Sequence, residues 1–282
     1  MELIEKFKTF LEFEKNNSDN TIDGYGRDLN QFFEFIKIDP TEVSEHHVVS
    51  FLTDRRKEGL SPTTTNRKLS AIKAFYRFLV RNRIVTFNPA ENIEVAKTTK
   101  KLPETLKVED IKNMLDKIDN LRDRVMIELL FATGIRREEL AELKVNSVDF
   151  VDSSIRVIGK GDKERVIPVH PHVMENLKIL LQQKRSEWVF PSRHKRKGHI
   201  STRQVNDIIS KWGKEANISG ATPHKFRHTF GATLFENGAD IKSIQDMLGH
   251  VSIDTTNIYT KINHKRNKEE YMKHHPMSKE EE

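Results

Sequence analysis

The chain has 282 residues, 36% of them hydrophobic, enough for a core in each of two domains. It carries 48 Lys and Arg against 42 Asp and Glu, a formal charge of +6, and it has no cysteine, which excludes disulfides, thiolate nucleophiles and Cys-ligated zinc. No run of eighteen apolar residues occurs and the N-terminus "MELIEKFKTFLEFEK" has no uninterrupted apolar core, so the expected setting is the cytoplasm, without a membrane partner.

The first ninety-odd residues predict helices only. Leu3, Ile4, Phe7, Phe10 and Leu11 form one apolar stripe; Ile22, Tyr25, Leu29, Phe32, Phe33 and Ile36 form a second, opened by cap candidates at Ser18 to Asn20 and weakened by Gly24 and Gly26. A third helix is expected from Ser44 to Glu58, stopped by Gly59. A fourth opens at "SPTTT", with Ser61 as the cap and Pro62 in the first helical position. Ile72, Phe75, Phe78 and Leu79 give this fourth helix its core face, and Arg67, Lys68, Lys73, Arg77 and Arg81 occupy remaining positions, a basic surface suited to a polyanion. Between Ser61 and Lys101 nine basic residues face two acids, a density typical of nucleic-acid contact.

"AKTTKKLP" lacks apolar periodicity and marks a linker at 96–102 between a helical domain, 1–95, and a second domain, 103–282. The second domain is also mainly helical. Its exception is "SSIRVIGKGDKERVIPV", two β-branched runs around a Gly-rich charged turn, the pattern of an antiparallel hairpin. Further helices are expected at "PHVMENLKILLQQ", "STRQVNDIISKWGKEA", "PHKFRHTF", "DIKSIQDML" and "DTTNIYTKI". The fold class is therefore mainly α with a small antiparallel β element in the C-terminal domain.

Cations collect at a few places in that domain. In "TGIRREEL", Arg136 follows Gly134 at a helix start, with Glu139 three residues on and able to orient the guanidinium. In "PHKFRHTF", His224, Arg227 and His228 fall three and four residues apart on one face of a helix opened by Pro223. Lys160 sits on the hairpin turn, His250 follows the helix-ending Gly249, and Tyr259 comes nine residues later. Such a cluster calls for an anion.

"ATGIRREEL", "VIGKGDKERVIPV", "PHKFRHTF", "NGADIKSIQDMLGH" and "TTNIYT", in this order and spacing, resemble the motifs of the tyrosine recombinases of the phage integrase type, most closely the Xer group, and the resemblance covers essentially the whole chain. It implies a helical core-binding domain and a catalytic domain that clamp duplex DNA. It implies Arg136, Lys160, His224, Arg227 and His250 as activating residues and Tyr259 as the nucleophile that forms a 3′-phosphotyrosine, with no metal and no other cofactor. It further implies a dimer on each site, a tetramer in synapsis, exchange of the C-terminal segment between protomers, and resolution of chromosome dimers.

Two rival readings stay open: strand relaxation of the type IB topoisomerase kind, and a DNA-binding architectural protein without catalysis. A zinc site at His224 and His228 is disfavoured, because "HKFRH" lacks the glutamate of HExxH and interposes two cations. His228 is expected to be structural, and "RHKRK", 193–197, a solvated loop.

Overall fold

The structure is a computed structural model describing residues 2–13, 19–96, 104–159, 164–182, 186–192 and 198–249. The chain divides into two compact units, Met1–Lys101 and Leu102–Glu282.

The first unit is built from α1 (Glu2–Phe13), α2 (Asp19–Ile36), α3 (Glu45–Lys57) and α4 (Pro62–Arg81). The expected start signals operate at α4, where Pro62 opens the helix and the Ser61 hydroxyl accepts from the Thr64 N–H at 3.2 Å. Gly24 and Gly26 do not interrupt α2. The core is aromatic: Phe7, Phe32, Phe51, Phe75 and Tyr76 are all fully enclosed. Tyr76 is the clearest case of a structural tyrosine, its hydroxyl donating to the Pro40 carbonyl at 2.9 Å and its pKa pushed far up by burial. Ala96, at the start of the expected linker, is bonded through both its N–H and its C=O to the Asn66 side chain and so belongs to this unit; positions 97–102 lie outside the described residues.

Helix α4 packs against α1, α2 and α3 and buries most of its circumference, which corrects one expectation. Lys68 is 3% exposed, its ammonium bonded to Asp28 at 2.9 Å and to Gln31. It is a core cation, held inside because Asp28 is buried and demands a counter-charge. The outer stripe retains Arg67, Arg77 and Arg81 in exposed positions, with Lys73 half-buried beside them and bonded to the Glu91 carbonyl. Arg67 also pairs with Asp28.

The second unit contains α5 (Val108–Asp116), α6 (Leu121–Thr133), α7 (Arg137–Ala141), β1 (Val148–Asp149), β2 (Ser154–Ile158), β3 (Glu164–Pro168), α8 (Pro171–Gln182), α9 (Thr202–Glu215), α10 (Pro223–Glu236) and α11 (Ile241–Leu248). Helix α6 is buried on most sides, with Val125 to Ile127, Leu129 and Leu130 fully enclosed and Asp123 and Glu128 buried among them, because α8 and α10 pack on it. The hairpin β2–β3 forms as expected, pairing Ser154 with Pro168 through Ile158 with Glu164, and β1 adds a two-residue third strand in the order β1-β2-β3. Residues Phe230, Ala232, Ile244 and Leu248 make a small separate core joining α10 to α11.

Candidate active site

Two helix ends meet at Arg227. This guanidinium, on a residue 6% exposed, donates through Nη1 to the Gly134 carbonyl just past α6 at 2.7 Å and through Nη2 to the Leu248 carbonyl at the end of α11. Gly134 permits the junction. It adopts φ +59°, and a Cβ there would lie 2.5 Å from Phe230 Cδ1 and 3.0 Å from Leu248 Cδ2.

The last four carbonyls of a helix have no partner within it. In α11 those of Gln245 and Asp246 accept from the Gly249 N–H at 2.8 and 3.2 Å. The rest are taken by side chains. Met247 accepts from Arg165 Nε at 2.8 Å and Leu248 from Arg227, while the carbonyl of the following Gly249 accepts from Arg136 Nη2 at 3.0 Å. Three cations thus gather at the negative end of one helix dipole. Arg136 and Arg227, ninety-one positions apart in sequence, are delivered to consecutive carbonyls.

Arg136 precedes α7 as its cap residue, and its backbone N–H and Nη1 both donate to Glu139, at 2.7 and 2.8 Å. Glu139 is 8% exposed and also receives a two-pronged contact from Arg165, Nη1 to Oε1 at 2.8 Å and Nη2 to Oε2 at 2.7 Å. Burial alone would raise the Glu139 pKa; the bonds from Arg165 and from the Arg136 N–H, with the Arg165 charge, outweigh it and hold the carboxyl below its ordinary value. The side chain of Arg136 remains 37% exposed, with donors beyond the two used here. An anion can therefore reach it.

His224 stands one turn before Arg227 on α10 and is exposed at its rim. Desolvation by the underlying protein, then the Arg227 charge, lower its pKa from the usual 6.5, so the neutral imidazole is favoured near pH 7. Its Nε2 lies 3.1 Å from Nε2 of His228, whose pKa is pushed down to about 4 by burial and then by the charges of His224 and Arg227. One ring must donate and the other accept. No third His, Asp or Glu joins them among the described residues to make a metal site. Thr229 fixes the helix by accepting from the Leu106 N–H at 2.8 Å and donating to the Lys225 carbonyl at 2.8 Å.

The structure therefore unites Arg136, Glu139 and Arg227 around the end of α11, with His224 one turn before Arg227 on α10. Lys160, His250 and Tyr259 lie outside the described residues, as do 193–197 and the expected helix 254–262. Arg165 was not among the expected site residues. A signal for it exists in the sequence: it alternates with Ile167 on the inward face of β3, where an unpaired cation would be costly.

The chain matches the phage integrase family over residues 104–266 and the phage integrase N-terminal SAM-like domain over residues 4–83. It is 36% identical to the tyrosine recombinase XerD of Listeria innocua, over 98% of this chain and 99% of the relative. To the tyrosine recombinase XerC of Thermodesulfovibrio yellowstonii it is 35% identical, over 99% and 98%. The fold is similar, at a TM-score of 0.76 and 22% identity, to that of the XerH site-specific recombinase bound to palindromic difH substrate in a post-cleavage complex, over 95% of this chain and 84% of that one.

Proposed function

The chain belongs to the phage integrase family of tyrosine recombinases, and from that premise we propose that it resolves chromosome dimers in the cytoplasm, cutting and rejoining duplex DNA at a specific site through Tyr259. The observation that carries the reading is the convergence of Arg136 and Arg227 on consecutive carbonyls at the end of α11. Two permanently charged planar donors, fixed to one helix end, suit the two non-bridging oxygens of a phosphodiester.

In the proposed step the Tyr259 oxygen forms a bond to phosphorus and the bond from phosphorus to the 5′ oxygen breaks. The phenol proton passes to His224, which its lowered pKa keeps neutral and ready to accept it. Lys160 protonates the departing 5′ oxygen, and His250 adds a donor to the charge that builds on the non-bridging oxygens. The 3′-phosphotyrosine conserves the phosphodiester linkage. A 5′ hydroxyl from a second duplex then reverses each transfer and completes strand exchange. Arg67, Arg77 and Arg81 on the exposed stripe of α4, with Lys73 beside them, neutralise backbone phosphate without reading sequence. Two protomers occupy each site and four act in synapsis, exchanging the segment after Tyr259.

Incubation with a site-bearing duplex nicked near the scissile phosphate tests the reading. A protein–DNA adduct that resists denaturant, forms in the presence of EDTA and is lost in Tyr259→Phe is expected; a non-catalytic DNA-binding protein gives none. With two distinguishable duplexes, exchanged strands are expected, whereas relaxation of supercoils without exchange would favour the topoisomerase-like alternative.

A further inference from the structure

Arg165 takes no part in the chemistry just proposed, yet its side chain is only 10% exposed and its guanidinium is engaged on three sides. Two donors grip both oxygens of Glu139 on α7, and the third holds the Met247 carbonyl on α11. The arginine itself stands on β3, opposite the buried Val157 of β2. The chain leaving α11 lies flush against it: a Cβ at Gly249 would come within 3.1 Å of Arg165 Cδ.

Each of these three elements leads to a residue of the proposed chemistry. Strand β3 begins four residues after Lys160, α7 opens at Arg136, and α11 ends two residues before His250. We infer that Arg165 is a positioning residue that locks β3, α7 and α11 in one register and aims Arg136 at the phosphate through Glu139. The inference rests on the recombinase reading. Its physical basis is the planar fork. Glu139 must hold two guanidinium groups at once, and Arg165, by occupying both carboxylate oxygens from one side, fixes the plane in which Glu139 meets the Arg136 N–H and Nη1. A lysine would keep the charge and lose the plane.

The test measures three quantities on the full chain: thermal unfolding, affinity for site-bearing duplex, and the single-turnover rate of adduct formation on nicked duplex at saturating protein. Arg165→Lys is expected to fold and to bind DNA like the parent but to form the adduct about 10–100-fold more slowly, the scale seen when the outer partner of a ligand-holding side chain is removed. Glu139→Gln should lose a similar factor, and the combined variant should be no slower than the slower single one, since both act through Arg136. Arg165→Ala is the second arm. Methylguanidinium supplied in solution should restore part of its cleavage rate.

Parental cleavage by Arg165→Lys would overturn the inference, and so would losses that multiply in the combined variant, or a folded, DNA-binding Arg165→Ala that methylguanidinium does not rescue. In each case the parent still makes the adduct and Tyr259→Phe does not, so the recombinase reading stands. A parent that forms no adduct removes both.

Discussion

Replacing Gly134 with alanine should damage both the stability and the chemistry of the catalytic unit. The residue holds φ +59°, a left-handed conformation that costs an L residue about 1–2 kcal/mol. The added methyl carbon would also sit 2.5 Å from Phe230 Cδ1 and 3.0 Å from Leu248 Cδ2, inside the small core between α10 and α11. Relieving that overlap costs about 1–3 kcal/mol. The combined loss, about 2–5 kcal/mol, lowers the Tm by roughly 4–20 °C for a unit of this size. Because Leu248 offers Arg227 its carbonyl, the displacement also disturbs the guanidinium, and adduct formation should slow. Gly238→Ala is the control. Gly238 has φ +93° with nothing within 4 Å of the point where a methyl carbon would sit, so it carries the backbone cost alone. Differential scanning fluorimetry and single-turnover cleavage on both variants make the comparison. Equal Tm losses, or parental cleavage by Gly134→Ala, would refute the reasoning.

Arg136→Ala or Arg227→Ala should each cost about 2.7–4 kcal/mol in the cleavage step, the effect of deleting one donor to a developing oxyanion, read as the rate of adduct formation; full cleavage by either removes it from the proposed chemistry. Cleavage should hold steady as pH falls from 7 and drop only below 6.5, because the His224 pKa is lowered and the ring stays an acceptor until then; an acid limb centred above pH 7 would contradict this. His228 contributes in the same direction to stability: between pH 6.5 and about 4 the unfolded chain binds its proton and the folded chain does not, so chemical denaturation midpoints should fall across that window. Arg77→Ala should weaken DNA binding and reduce its salt dependence by about one unit of slope. Lys68→Met should instead lower the denaturation midpoint of the N-terminal unit, leaving that slope unchanged.

The contrast between those two positions shows where the sequence could be read and where it misled. Lys68 falls at i, i+4, i+7 and i+11 with Ile72, Phe75 and Leu79, so the apolar stripe already claimed its position; assigning it to the surface followed charge where periodicity pointed inward. Arg77 and Arg81 lie on the opposite side of the same helix and Arg67 on its flank, and all three are exposed. Arg136, Glu139 and Arg227 were legible because helical spacing and a glycine stop are local signals. Their meeting was not, since the carbonyls of Leu248 and Gly249 that gather them come from over a hundred residues beyond Arg136. Arg165 was hidden differently. A hairpin rich in Lys, Asp, Glu and Arg looks like a solvated turn, and only the two-residue alternation of β3 sets one of those charges facing inward.

Helix α11 is only eight residues long, too short to persist alone. Cations from β3, α10 and the start of α7 hold its last turn by three separate carbonyls. A tug on the downstream chain would therefore meet an anchor at Gly249 before it could unwind the helix. The two arginines behind that point keep their place however the downstream chain is pulled, as a mooring keeps the quay unmoved when the rope swings.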